Sequence, residues 1–175
     1  MTNYVLRPLE VDDFAAFVDI QRHALVHAPE LFGSDYEWFE NLSILLKEQR
    51  FELFVNFPYQ FILGAVQPDG EIAAMVGFSC EYARSKVRHK GRLWGLYVRP
   101  EFRHRGLATE LVRTIIGSAQ DVVGCELIHL SVSKHNDASF ALYLRLGFSV
   151  YGTELHAMKI DNTYVDEYLM HKMLL

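Results

Sequence analysis

The amino-acid sequence predicts an α+β fold: a central mixed, mostly antiparallel sheet of six to seven strands flanked by about four helices. Three observations lead there. Two apolar runs flank Pro68-Asp69-Gly70, the pattern of a hairpin. Leu107, Ala108, Leu111, Val112, Ile115, Ile116 and Ala119 form one stripe at the 3.6-residue period, the pattern of an amphipathic helix. The elements then run strand, two helices, three strands, helix, strand, helix, two strands, which bunches strands together and interposes helices twice.

Taken in order, Tyr4 to Arg7 reads as a strand closed by Pro8. Glu10, Asp12 and Asp13 supply the acidic first turn of a helix that runs to about His27 and is limited by Pro29. His23 and His27 stand at i and i+4, a spacing that could ligate a metal, but neither an HExxH motif nor a third ligand accompanies them. A surface or pocket-lining pair is the expectation, and no metal site is assigned. Gly33-Ser34-Asp35 is a turn and cap for a second helix from about Tyr36 to Arg50, with Trp38, Leu42, Leu45 and Leu46 as its stripe. The aromatic series Phe51, Phe54, Phe57, Tyr59, Phe61 reads first as core and alternatively as the apolar wall of a pocket.

Phe61 to Val66 and Glu71 to Glu81 are the hairpin strands, with Gly77 marking a bulge or a close approach. Arg84 to Arg92 is a basic, exposed connection to a strand from Leu93 to Val98. After the long helix, ended by Val122-Val123-Gly124, Glu126 to Ser133 alternates: Ile128, Leu130 and Val132 face one way, Leu127, His129 and Ser131 the other. A short helix begins at an N-cap, Asn136 or Asp137, and stops at Gly147. Ser149 to Tyr151 and Leu155 to Ile160 form a strand with an irregular middle at Gly152-Thr153. Asp161-Asn162 turns the chain into a last strand, Tyr164 to Leu174.

Composition bounds the function. With 175 residues, half of them apolar, the chain is expected to be one domain with a substantial core. A net charge of −5 provides no general basic footprint for nucleic acid. No apolar run is long enough for a membrane span, and the start lacks a secretory h-region, so a cytoplasmic protein is expected. Cys80 and Cys125 lie far apart in the sequence without a C-x-x-C spacing, and are expected to be reduced, buried or inert thiols.

Chemistry concentrates between the strand ending Leu96-Tyr97-Val98 and the long helix. Arg99-Pro100-Glu101 turns the chain, and Arg103-His104-Arg105-Gly106 follows. Cations at a helix N-terminus oppose its dipole. They make sense around an external anion held on the first-turn N–H groups, with Gly106 allowing close approach; the alternative is a solvated basic turn. Neither a P-loop nor a G-x-G-x-x-G fingerprint is present.

Arg103-x-x-Gly106-x-Ala108 resembles the pyrophosphate loop of the GNAT family of N-acetyltransferases, whose pattern is Arg/Gln-x-x-Gly-x-Gly/Ala. A second stretch, with Asn136, Ala138, Leu142, Tyr143, Gly147 and Phe148, matches the same family's Asn, short Tyr-bearing helix and Gly-Phe. The resemblance covers most of the chain and implies a single GNAT-type domain over residues 1–175, with acetyl-CoA as acyl donor in a cleft between two splayed strands. It implies that Leu96, Tyr97 and Val98 orient the pantetheine arm through their backbone. Arg103, His104, Arg105, Gly106, Leu107 and Ala108 would hold the pyrophosphate, with Asn136 and Ser139 on the coenzyme channel. Tyr143 would protonate the departing thiolate. The acceptor is then a primary amine of a small molecule or peptide, in a pocket shaped by the first two helices and their connection, with neither nucleic acid nor membrane as partner.

Some members of the family carry a catalytic Glu on the strand before the loop; here that position is Arg92. Glu81, His129, a water chain or an acceptor arriving already neutral could replace it, and no base is assigned. Readings of another class are a catalytically idle acyl-CoA-binding or sensing module and transfer of a different acyl group. A toxin acting on charged tRNA also occurs in the family, though the acidic balance argues against it. Dimers are common there too, and the last strand, with Tyr164, Tyr168, Leu169 and Met170, could pair with or pack against a second copy.

Overall fold

A computed structural model describes residues 4–174. β1 (Val5–Pro8) leads through a 3-10 turn into α1 (Phe14–His27), followed by α2 (Tyr36–Asn41) and α3 (Ile44–Glu52). β2 (Val55–Asn56), β3 (Gln60–Val66), β4 (Ile72–Cys80) and β5 (Lys90–Val98) come next. α4 (Leu107–Gly117), β6 (Leu127–Ser133), α5 (Asp137–Arg145), β7 (Ser149–Ile160) and β8 (Thr163–Met173) complete the chain. Among the described residues no helix is long and apolar enough to cross a membrane.

Local chemistry explains most boundaries. Glu10 and Asp13 form a capping box ahead of α1, and Asp13 also takes two hydrogen bonds from Arg7, at 2.6 and 2.7 Å. Asn136 caps α5 by accepting the Ser139 N–H at 3.0 Å. The second helix, expected unbroken to Arg50, is instead two. Leu42 is extended, and Ser43 starts α3 by accepting the Leu46 N–H. A serine that can cap competes with helix continuation. The expected stripe therefore fails there: Leu45 and Leu46 are exposed, whereas Phe51 is buried. The long helix also ends differently, with α4 giving way to a π-helical turn over Ser118–Val123 before left-handed Gly124.

The eight strands form one sheet in the order β1-β3-β4-β5-β6-β8-β7, with β2 on β3. Every pairing is antiparallel except β5 with β6. β8 lies between β6 and β7, so both its edges are used from Glu167 to His171, and strand pairing with a second copy is not open to that stretch. Met170 is fully buried and Tyr168 packs on Phe140, so two of the residues considered for dimer contact serve the fold. The irregularity expected at Gly152-Thr153 is spread wider, with register shifts between Val150 and Gly152 and between Glu154 and Met158.

Helices cover both faces. α4 and α5 bury Leu107, Leu111, Ile115 and Leu142 against Phe78, Leu93, Ile128 and Met170. On the other face α1 and α3 bury Phe17, Ile20, Ala24 and Phe51 against Ile62, Met75 and Tyr97. β3, paired on both sides and covered on both faces, is apolar at nearly every position. The aromatic series divides accordingly: Phe51 and Phe61 are core, whereas Phe54 lies 4.7 Å from the Trp94 ring and Phe57 is exposed. Cys80 and Cys125 come together in the core, and burial pushes the Cys125 thiol up to about 12, which leaves it unreactive.

Gly77 serves as both bulge and close approach. The β4–β5 register shifts beside it, and a Cβ there would stand 2.3 Å from the Trp94 indole. Gly77→Ala should therefore destabilise the protein by about 1–3 kcal/mol through overpacking, read as a lower urea midpoint. A midpoint equal to wild type would contradict that account.

Candidate active site

The site begins where β5 and β6 part. They pair in parallel at only three positions, Lys90 with Leu127, Gly91 with Ile128 and Arg92 with His129. Just beyond, Gly95 and Leu96 of β5 together oppose the single Val76 of β4, and Gly95 adopts a left-handed φ of +63°. This bulge bends β5 away from β6 and leaves backbone groups at the gap without a strand partner. The opening widens toward α4 and α5 into a cleft of about 490 Å³.

The predicted coenzyme residues gather around that cleft. Leu96, Tyr97 and Val98 form one wall, and Asn136 and Ser139 of α5 face them. Tyr97 contributes little ring to it: the ring is buried against α1, with its hydroxyl 2.8 Å from Nδ1 of His23. Arg103, His104, Gly106, Leu107 and Ala108 close the far end. His104 and Gly106 both have positive φ, +60° and +81°. Left-handed residues alternating with ordinary ones turn successive N–H groups to one side, and Gly106 caps α4 with no side chain to satisfy the first turn. Arg103 is anchored by Nε donating to the Val98 carbonyl at 3.0 Å. The Arg105 guanidinium lies 5.8 Å from the Phe102 ring, so what Arg105 offers the turn is its backbone N–H. An extended, pyrophosphate-bearing coenzyme fits this end through backbone N–H groups, the left-handed turn and the Arg103 guanidinium.

From the cleft a narrow throat of about 40 Å³ passes through the sheet between Leu93–Leu96 and Ser131–Ser133. Tyr143 lines it from α5, and burial raises the pKa of its phenol and holds it protonated. Beyond lies a second cavity, about 630 Å³, bordered by Arg92, His129, Glu154 and Glu167. The sequence reading did not single out Glu30, Leu31, Trp94 or Glu167, all at the throat. Glu30 and Leu31 belong to the connection after α1, the segment that the family pattern marks as pocket-shaping. Glu167 carries no local signal, because only the β6–β8 register brings it there.

His23 and His27 stack at 4.0 Å, and both Nδ1 atoms are engaged, one with Tyr97 and one with the His23 carbonyl. Burial, assisted by His27 and Arg99, lowers the His23 pKa. His129 is lowered too, first by burial and then by Lys90 and its histidine neighbours, and its Nδ1 is buried without a hydrogen-bond partner.

The architecture is thus a sheet split between β5 and β6, with the glycine-started helix α4 beside the gap and cavities along it. Residues 23–148 match the family model described as Acetyltransferase (GNAT) family. The chain belongs to that family. It is 29% identical over 159 residues to the spermidine N(1)-acetyltransferase of Escherichia coli strain K12, covering 91% of this chain and 80% of that protein. In fold it is similar to a GNAT-family acetyltransferase from Streptococcus pneumoniae, with TM-score 0.85, 24% identity, and 98% and 99% of the two chains covered. It is also similar to a phosphinothricin acetyltransferase from Sinorhizobium meliloti in complex with acetyl-CoA, with TM-score 0.81, 18% identity, and 99% and 89% covered.

Because His23 and His129 resist protonation in the fold, the unfolded chain takes up protons that the native one refuses. Their contribution is full above the unfolded value of about 6.5 and is lost as pH falls through the lowered native values. Urea midpoints should fall between about pH 7.5 and pH 5.5, above the range of the ion-paired carboxylates. A His23→Gln/His129→Gln double variant should flatten that slope; an undiminished slope would refute the assignment.

Proposed function

We propose that this protein transfers the acetyl group of acetyl-CoA to a primary amine of a small molecule or peptide, by direct attack in a ternary complex. The observation that carries the reading is a row of three adjoining cavities that share lining residues: the large cleft, the small cavity bordered by Tyr143, and a second large cavity beyond it. Donor and acceptor can then meet at the throat from opposite faces without an enzyme-bound acyl group. The spermidine N(1)-acetyltransferase similarity is in keeping with an amine acceptor.

The coenzyme supplies an activated acyl group and a good leaving thiolate; the protein supplies position and protons. The first-turn N–H groups of α4, with Arg103 and His104, hold the pyrophosphate. Backbone groups of Leu96, Tyr97 and Val98 on the edge that the splay leaves without a β6 partner orient the pantetheine arm. Tyr143, kept protonated by its buried position, donates to the sulfur as negative charge develops there. Arg105 lends the same turn its backbone N–H and its positive charge.

Gly106→Glu sets a carboxylate in the anion site and forces a side chain into left-handed backbone. Calorimetric titration should give acetyl-CoA binding to the wild type in the micromolar range, on the order of −8 kcal/mol, and abolish it in this variant. No binding by the wild type would end the reading. On an amine panel with thiol-release detection, Tyr143→Phe should lower kcat on the order of tenfold to a thousandfold. An unchanged kcat would remove Tyr143 from the mechanism.

A further inference from the structure

We infer that Glu167, on β8, is the general base that deprotonates the acceptor amine. The inference rests on the acetyl-transfer reading above and supplies what that reading lacks, since Arg92 stands where a family carboxylate would be expected.

Position singles Glu167 out. The throat shares Glu30, Leu96, Asn136 and Ser139 with the donor cleft, and shares Ser131 and Glu167 with the far cavity. Glu167 is therefore the one titratable side chain that borders both the throat holding Tyr143 and the cavity an acceptor would enter. The earlier candidates, Glu81 and His129, border the far cavity but not the throat. Glu30 borders the throat from the donor side.

The surroundings suit a proton acceptor. Glu167 pairs across β6–β8 with Ser133 and across β7–β8 with Glu154, so two carboxylates stand directly opposite on one sheet face. Like charges so placed repel. Among the described residues Glu167 has neither an ion pair nor a side-chain hydrogen bond, although it is half-buried. An incoming ammonium relieves that repulsion and brings its own proton to the carboxylate.

The step balances. The ammonium gives one proton to the Glu167 carboxylate, which releases it to solvent through the far cavity. The freed nitrogen lone pair bonds the thioester carbonyl carbon, and the carbon–sulfur bond breaks with its electrons going to sulfur. Glu167, having released the first proton, takes the nitrogen's second proton and releases it likewise, while Tyr143 protonates the thiolate and regains one proton from solvent. The products are the acetylated amine, the free thiol and one proton.

The test is Glu167→Gln on an amine that the wild type acetylates. Acetyl-CoA affinity should match wild type, which also certifies the fold. The kcat at saturating amine should fall about a hundredfold to a thousandfold, the scale of general-base catalysis. Calorimetric binding of the amine to donor-free protein should weaken on the order of tenfold, because a charge-assisted contact is lost. Glu167→Asp, which withdraws the carboxylate without removing it, should recover part of the kcat and is decisive if the glutamine variant misfolds. A raised KM with unchanged kcat in Glu167→Gln would make Glu167 a binding residue only and overturn the inference. So would loss of kcat in His129→Gln with retention in Glu167→Gln. A wild type that binds acetyl-CoA but releases no thiol with any amine would remove the acetyl-transfer reading, and this inference with it.

Discussion

The whole arrangement depends on one interrupted strand pairing. Parallel strands β5 and β6 hold together for three residues and then separate, because left-handed Gly95 inserts an extra residue opposite β4 and turns β5 aside. Inside a sheet, unpaired backbone groups are costly unless something else satisfies them. Here they face an open cleft, so the same interruption that weakens the sheet creates a binding edge and a hole through it. Elements nearby keep the gap from closing. Trp94 fills the space over Gly77 beside the bulge, and Phe54 backs it. Arg99, almost fully buried, ties the end of β5 to α1 through Asp19 and to the hairpin through the Ile72 carbonyl.

Electrostatics divide the passage by function. The donor end is cationic and rich in backbone N–H groups, which suits a pyrophosphate. The far cavity sets the carboxylates of Glu81, Glu154 and Glu167 beside Lys90 and Arg92. Between them the walls mix apolar and hydroxyl side chains with the carboxylates of Glu30 and Glu167, and burial keeps Tyr143 protonated. A net charge of −5 for the whole chain conceals this local polarity completely.

Much of this was legible beforehand, for identifiable reasons. The hairpin, the long amphipathic helix and the Asn136 cap depend on short-range chemistry, and they stand where periodicity and turn residues put them. The turn ahead of α4 was legible because Gly106 is the residue that left-handed backbone favours. Errors arose where a local choice was close or a partner was distant. Ser43 could continue a helix or cap a new one, and capping prevailed. The last strand looked available for a second copy, yet from Glu167 to His171 it is sealed between β6 and β7.

Local sequence specified the α+β class, the element order, the anion-binding turn and the helix bearing Tyr143, since hydrophobic period, caps and glycine conformations act over a few residues. Strand register decided the rest. Glu167 lies 24 residues beyond Tyr143 with no motif around it, and it reaches the throat only because β8 folds back between β6 and β7. The split between β5 and β6 likewise follows from a one-residue mismatch between two strands, a relation that neither strand carries alone. Cross-strand alignment is a long-range property, and it is what turns a recognisable set of segments into a site.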